Sequence, residues 1–169
     1  DIAPYSGEGS AYGNIANFKS SWSYDVTASG GTPELSQSVT LNDAIATPDS
    51  FSVEMPDLTR DITNLDVVSR TNGVAFQWSA NPTLDSEMFI IIEDTPDDEA
   101  DMPNEILCQV TDDGQFQVPA SLVANFPTQE NKAATITVFR RKRQTWGLPS
   151  GATGYSFGVT AVIGVARME

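Results

Sequence analysis

The chain has 169 residues, 40% of them hydrophobic, which suffices for one well-packed globular unit, and its single cysteine, Cys108, excludes an internal disulfide. Its formal charge is −14, from 23 acidic against 9 basic residues, which argues against nucleic acid and anionic membrane surfaces as partners. The absence of histidine removes Ser-His-Asp and Cys-His catalysis and any His-rich zinc site.

The opening Asp1 to Ser10, rich in Gly, Ser and Pro, reads as a flexible tether over residues 1–16. Such a tether suits a secreted protein or one with a lipid anchor upstream. No stretch has the length and apolarity to span a bilayer. Phe18, Ser20, Trp22, Tyr24, Val26 and Ala28 recur at a spacing of two and predict a strand over 17–28 with Trp22 in the core. Ser29-Gly30-Gly31-Thr32-Pro33 ends it. Short strands are expected at Leu35 to Leu41 and Ser50 to Met55, before a polar connector from Asp57 to Asn64.

Leu65 to Ser69 and Val74 to Ser79 flank Thr71-Asn72-Gly73 and predict a hairpin, with Val74, Phe76 and Trp78 on one face. Met88 to Glu93 is apolar on both faces, as a central covered strand would be. Ile106 to Val110 and Gln115 to Val118 bracket Asp112-Asp113-Gly114, a second hairpin signal that gives both aspartates a turn role. Cys108 in its strand-like setting reads as a buried, inert thiol. Pro119 to Phe126 is the one helical candidate, with Leu122, Val123 and Phe126 as its apolar edge. Ala134 to Arg140 and Tyr155 to Val165 are long strands. In the second, Tyr155, Phe157, Val159, Ala161, Ile163 and Val165 share the face expected to be buried, and Ser156, Gly158, Thr160 and Gly164 the face expected to be solvated.

These elements predict an all-β fold, an antiparallel β-sandwich with extra N-terminal strands and one short helix, forming a single domain over 17–169. Its core would be 65–167, with the strands of 17–55 packed on it. From Leu65 to Arg167 the chain resembles an immunoglobulin-like or fibronectin type III-like domain of about seven strands. Val74-Ala75-Phe76-Gln77-Trp78-Ser79 resembles its second strand, with the core tryptophan, and Met88-Phe89-Ile90-Ile91-Ile92-Glu93 its third. The acidic insertion after Glu93 is longer than is usual there. A narrower resemblance lies in Cys108-Gln109-Val110-Thr111-Asp112-Asp113-Gly114-Gln115-Phe116-Gln117-Val118-Pro119, followed by Leu122, Phe126, Pro127 and Val138-Phe139-Arg140. This run is similar to a segment of secreted proteins and lipoproteins of the bacterial envelope. That resemblance implies an extracytoplasmic location and supplies no activity.

Candidate sites are few. Seven acids crowd into Glu93 to Glu105, and Asp97, Glu99 and Asp101 alternate so that their carboxylates could converge on calcium, without the glycine or the final glutamate of an EF-hand. The opposing reading is a solvated insertion of like charges. Arg140-Arg141-Lys142-Arg143 could meet an acidic ligand or form a solvated strand edge. Trp146, between Thr145 and Gly147, is expected in a loop, where with Arg140 and Arg141 it could stack on a sugar or cap the sandwich end. Asp112 with Asp113, or Asp85 with Glu87, could be nominated as glycosidase carboxylates. The function expected first is therefore a non-catalytic structural or protein-binding module of the envelope. A carbohydrate-binding module recognising envelope glycan comes second and a carboxylate-based glycoside hydrolase third.

Overall fold

The computed structural model describes residues 19–28, 39–60, 64–81, 86–94, 103–126, 133–147, 151 and 153–169, so the tether over 1–16 lies outside the described residues. The elements are β1 (Ser23–Ala28), β2 (Val39–Ala46), β3 (Val53–Met55), β4 (Asp66–Val68), β5 (Val74–Trp78), β6 (Ser86–Glu93), β7 (Glu105–Val110), β8 (Gln115–Val118), α1 (Ala120–Val123), β9 (Ala133–Gly147) and β10 (Thr153–Met168). They build a β1–β2 ribbon, a five-stranded sheet in the order β4-β10-β9-β6-β7 and a three-stranded sheet in the order β3-β5-β8. All these strand pairs are antiparallel except β4 with β10. The expected mostly antiparallel β fold with one short helix is present among the described residues, and one of the sheets curls into a half-barrel.

Period-two patterning builds the core. Val74, Phe76 and Trp78 of β5 are buried, while Ala75 and Gln77 between them are exposed. Facing them are Met88, Ile90 and Ile92 of β6 and Ala134, Ile136 and Val138 of β9, all within one apolar cluster. Val123 and Phe126, on and just after α1, and Leu58 join that cluster, whereas Leu122 stays exposed. Each large side chain so buried contributes about 1.5–3 kcal/mol from its removal from water.

Both predicted hairpins fail, although both turns form. Gly73 and Gly114 do take positive φ, at 79° and 94°. Between β4 and β5, however, the only ladder contact is the bridge from Ser69 to Gly73, because β4 pairs with the end of β10 and β5 with β3 and β8. Likewise β7 pairs with β6 and β8 with β5, so the turn at Asp112 carries the chain from one sheet to the other. The basic run does not end the strand: Arg140, Arg141 and Lys142 pair with both β6 and β10, and β9 continues to Gly147 against β10 alone. In the N-terminal region the strand expected at 35–41 is described from Val39 and runs on to Ala46, its residues 35–38 lying outside the described residues, and β3 spans only Val53–Met55. Trp22, expected in the core, is 53% exposed, with the Lys19 ammonium 4.2 Å from the centre of its ring.

The largest correction concerns β10. Tyr155, Phe157, Val159, Ala161 and Ile163 face solvent, and the small residues between them face inward. Backbone lies directly on that inner side. A Cβ at Gly158 would overlap the Ala46 carbonyl, and one at Gly164 the Leu58 carbonyl. The Ser156 hydroxyl donates to the Ala44 carbonyl and Thr160 donates to the Pro48 carbonyl at 3.0 Å. Glycine inside a strand marks such a close approach, and here it decides which face is covered.

Two substitutions separate the alternatives. Ile163→Ser should leave the urea midpoint within the equivalent of about 0.5 kcal/mol, as expected of a surface change. Gly164→Val should cost about 1–3 kcal/mol through overpacking against Leu58. The reverse order would mean that β10 buries its other face.

Candidate functional site

Arg140, read from sequence as a ligand-binding residue, is 1% exposed. Its Nε donates to Asp112 Oδ2 at 2.6 Å, and its Nη2 donates to Asp112 Oδ1 at 3.0 Å and to the Ser79 carbonyl at 2.7 Å. Trp78 Nε1 donates to the same Asp112 Oδ1 at 2.8 Å, and the Phe51 ring centre lies 4.8 Å from the guanidinium carbon. Asp112 is 8% exposed, so it is far more than a turn residue. A bidentate carboxylate with an indole and a carbonyl as further partners is what a charge needs in order to stay ionised away from water. The arrangement is structural, since its donors and acceptors are engaged within the protein. Asp113, the other half of the nominated carboxylate pair, is exposed and accepts the Gln115 amide at 3.3 Å, and Asp85 lies outside the described residues.

Alternation along β9 then sends Arg141 and Arg143 outward and Lys142, Gln144 and Trp146 inward. Arg141 bonds Glu87 at 2.7 Å and lies between the rings of Phe89 and Phe157, 4.6 and 4.8 Å from their centres. Arg143 stacks on Tyr155 at 4.1 Å. Phe89 stacks on Phe139 with centroids 4.9 Å apart. Register places Leu107, Ile91, Thr137 and Ile163 in one row across four strands, and Gln109, Phe89, Phe139 and Ala161 in the next. The outer face of the five-stranded sheet is therefore a continuous apolar and aromatic surface, with Ile163 at 65%, Leu107 at 57% and Phe157 at 47% exposure.

Trp146 belongs to β9 rather than to a loop, opposite Gly154 of β10, and its six-membered ring occupies the space a Gly154 side chain would need. It lines a cavity of about 630 Å³ with Lys142 and Gln144 on one side and Asn42, Asp43 and Ala44 of β2 on the other. Those β2 residues form a bulge, since the ladder jumps from Val26–Leu41 to Tyr24–Ile45 and leaves three residues opposite Asp25. Asp43 sits there at φ 51°, its amide donating to Asp25 Oδ1 at 2.8 Å. Trp146 Nε1 and Gln144 Oε1 are buried with no hydrogen-bond partner among the described residues. A second hollow of about 320 Å³ is lined by Trp22, Thr47, Asp49, Ser86 and, again, Lys142.

Sequence reasoning singled out Trp146, named Lys142 only within the basic run, and missed Gln144, Asn42 and Asp43. The signal it could have used was the alternation of β9 running on through Arg141 to Gly147. Asp97, Glu99 and Asp101 lie outside the described residues, and among the described residues no group of three His, Cys, Asp or Glu stands together to hold a metal. Among them, too, no helix is long and apolar enough to cross a membrane. No family model, curated protein or solved structure matches the chain.

Two outcomes follow. Asp112→Ala should cost about 3–5 kcal/mol in urea unfolding, because it strands a buried guanidinium. The pair Arg140→Met with Asp112→Asn, which keeps an acceptor for Trp78, should cost less than that single change. Burial pushes the half-buried Cys108 thiol above its ordinary range. Its folded-state alkylation at pH 8 should therefore run several-fold slower than in urea. Because the fold holds the thiol protonated, its contribution is complete below the ordinary thiol pKa and is lost as pH rises through the raised one.

Proposed function

We propose that the chain is a non-catalytic immunoglobulin-like or fibronectin type III-like β-sandwich module of the bacterial envelope that binds a protein partner through the outer face of its five-stranded sheet. The exposed row of Tyr155, Phe157, Val159 and Ile163 carries this reading. A soluble protein leaves few apolar surfaces of that extent uncovered unless something binds them.

Strand order supports the sandwich. In the seven-stranded immunoglobulin arrangement the first, second, fourth and fifth strands form one sheet and the third, sixth and seventh the other, and this chain differs in having the fourth, β7, in the second sheet. Here β3, β5 and β8 stand against β6, β7, β9 and β10, with β4 added in parallel at the edge. The envelope location rests on the resemblance of the segment from Cys108 to Arg140.

Charge selects the partner's chemistry. The face carries Arg141 and Arg143 among its aromatics, and Arg143 makes no ion pair among the described residues. The whole chain, at −14, repels a second copy of itself. Glu87, Glu93 and Glu105 stand on the same face and Glu87 already pairs with Arg141, so the face has mixed charge and the partner is a mainly apolar surface.

The test compares the protein with Phe157→Ser/Ile163→Ser. The unsubstituted protein should sediment as a monomer and capture a partner from an envelope fraction. The variant should keep its unfolding midpoint and bind the purified partner at least tenfold more weakly. Equal binding by the variant, or a dimer that the variant dissociates, would overturn the proposal.

A further inference from the structure

The inner side of the β9–β10 hairpin offers a second site, opposite the apolar face. We infer that the cavity between the β2 bulge and β9 binds a neutral oligosaccharide, held by Gln144 and Trp146 and extending past Lys142 toward Trp22.

The unpartnered atoms define the ligand. Trp146 Nε1 can only donate and Gln144 Oε1 can only accept, and both are buried without a partner among the described residues. Leaving such groups unpaired is costly, so these atoms favour a ligand that supplies both an acceptor and a donor. A hydroxyl does both. The two side chains are two residues apart on one strand face, about 7 Å along the strand, so the hydroxyls must be spread over a frame of about that length, as those of a sugar are. A small rotation of either side chain into the free volume brings its polar atom onto the ligand. The cavity, about 630 Å³, is of the size that ligand sites have.

Local charge selects a neutral ligand. Asp43 on one wall opposes Lys142 on the other, and Arg143, which also borders the cavity, has its guanidinium stacked on Tyr155. A purely anionic ligand would meet Asp43 and a purely cationic one Lys142. The polar side chains of Asn42 and Gln144 suit hydroxyl recognition. The bulge that presents Asn42 and Asp43 is itself held in place by Asp25.

Extent follows from the second hollow. It shares Lys142 with the first and brings the exposed ring of Trp22, a flat stacking surface, to the other end. A chain of several sugar units would use both ends, whereas a monosaccharide would use only the Trp146 end.

Calorimetric titration of the intact protein with glucose, maltohexaose, mannohexaose and galactohexaose, with polygalacturonate as the acidic control, tests this. At least one neutral hexasaccharide should bind, with Gln144→Leu and Trp146→Phe each weakening it about tenfold while the unfolding midpoint stays level or rises. Trp22→Ala should weaken the hexasaccharide and leave any binding of glucose unchanged. The inference is overturned if no neutral sugar binds, if only polygalacturonate binds, or if binding survives both Gln144→Leu and Trp146→Phe. It stands or falls independently of the outer face, which Phe157→Ser/Ile163→Ser alters without touching this cavity.

Discussion

A guanidinium lies inside this protein, and Asp112 is what allows it to stay there. The ion pair joins β9, which carries Arg140, to the connector between β7 and β8, which carries Asp112. Through Trp78 and Ser79 it also joins the end of β5, and thus the three-stranded sheet, to the five-stranded one. Apolar packing alone tolerates sliding, whereas a bidentate pair with two further partners has one geometry. The position of β9 therefore sets everything distal to it. With Arg140 inward, Arg141 and Arg143 must point outward and Lys142, Gln144 and Trp146 inward. Both candidate surfaces are consequences of that single placement.

Strand content and most strand positions were legible in the sequence because period-two patterning is local. Val74, Phe76 and Trp78 announced a buried face, and the unbroken apolar run of Met88 to Ile92 announced an inner strand, as found. Pairing was not legible. The Asn72-Gly73 and Asp113-Gly114 turns reverse the chain whether or not the flanking strands pair, and here each feeds two different sheets. Which face of β10 is covered was misread for a related reason. Hydrophobicity pointed to Tyr155, Phe157 and Ile163, while burial followed Gly158 and Gly164, where other backbone needs to approach. The glycines were the better guide: β10 has three, Gly154, Gly158 and Gly164, all on its inner side.

Of the candidate site residues, Trp146 was visible because tryptophan is rare, but its environment depends on the β2 bulge, which has no signal in the β9 sequence. Arg140 and Asp112 both lie in the segment on which the proposed envelope location rests. Their partnership spans 28 residues and two sheets, so the sequence could mark both without joining them. The motif is thus a record of folding chemistry, not of binding.

The parallel contact between β4 and β10 bears on the order of assembly. β4, three residues long, has its ladder partners at Ala166, Arg167 and Met168, and the Glu169 carbonyl then accepts the Arg70 amide at 2.7 Å. On a ribosome, which releases the chain from its N-terminus, residues 66–68 emerge about 100 positions before anything can pair with them. The three-stranded sheet and the β6–β7 hairpin can assemble during synthesis. The wall from β9 to β4 closes only when β10 is free, so this fold is completed after translation has passed Met168, with β4 waiting for a partner made about 100 residues later.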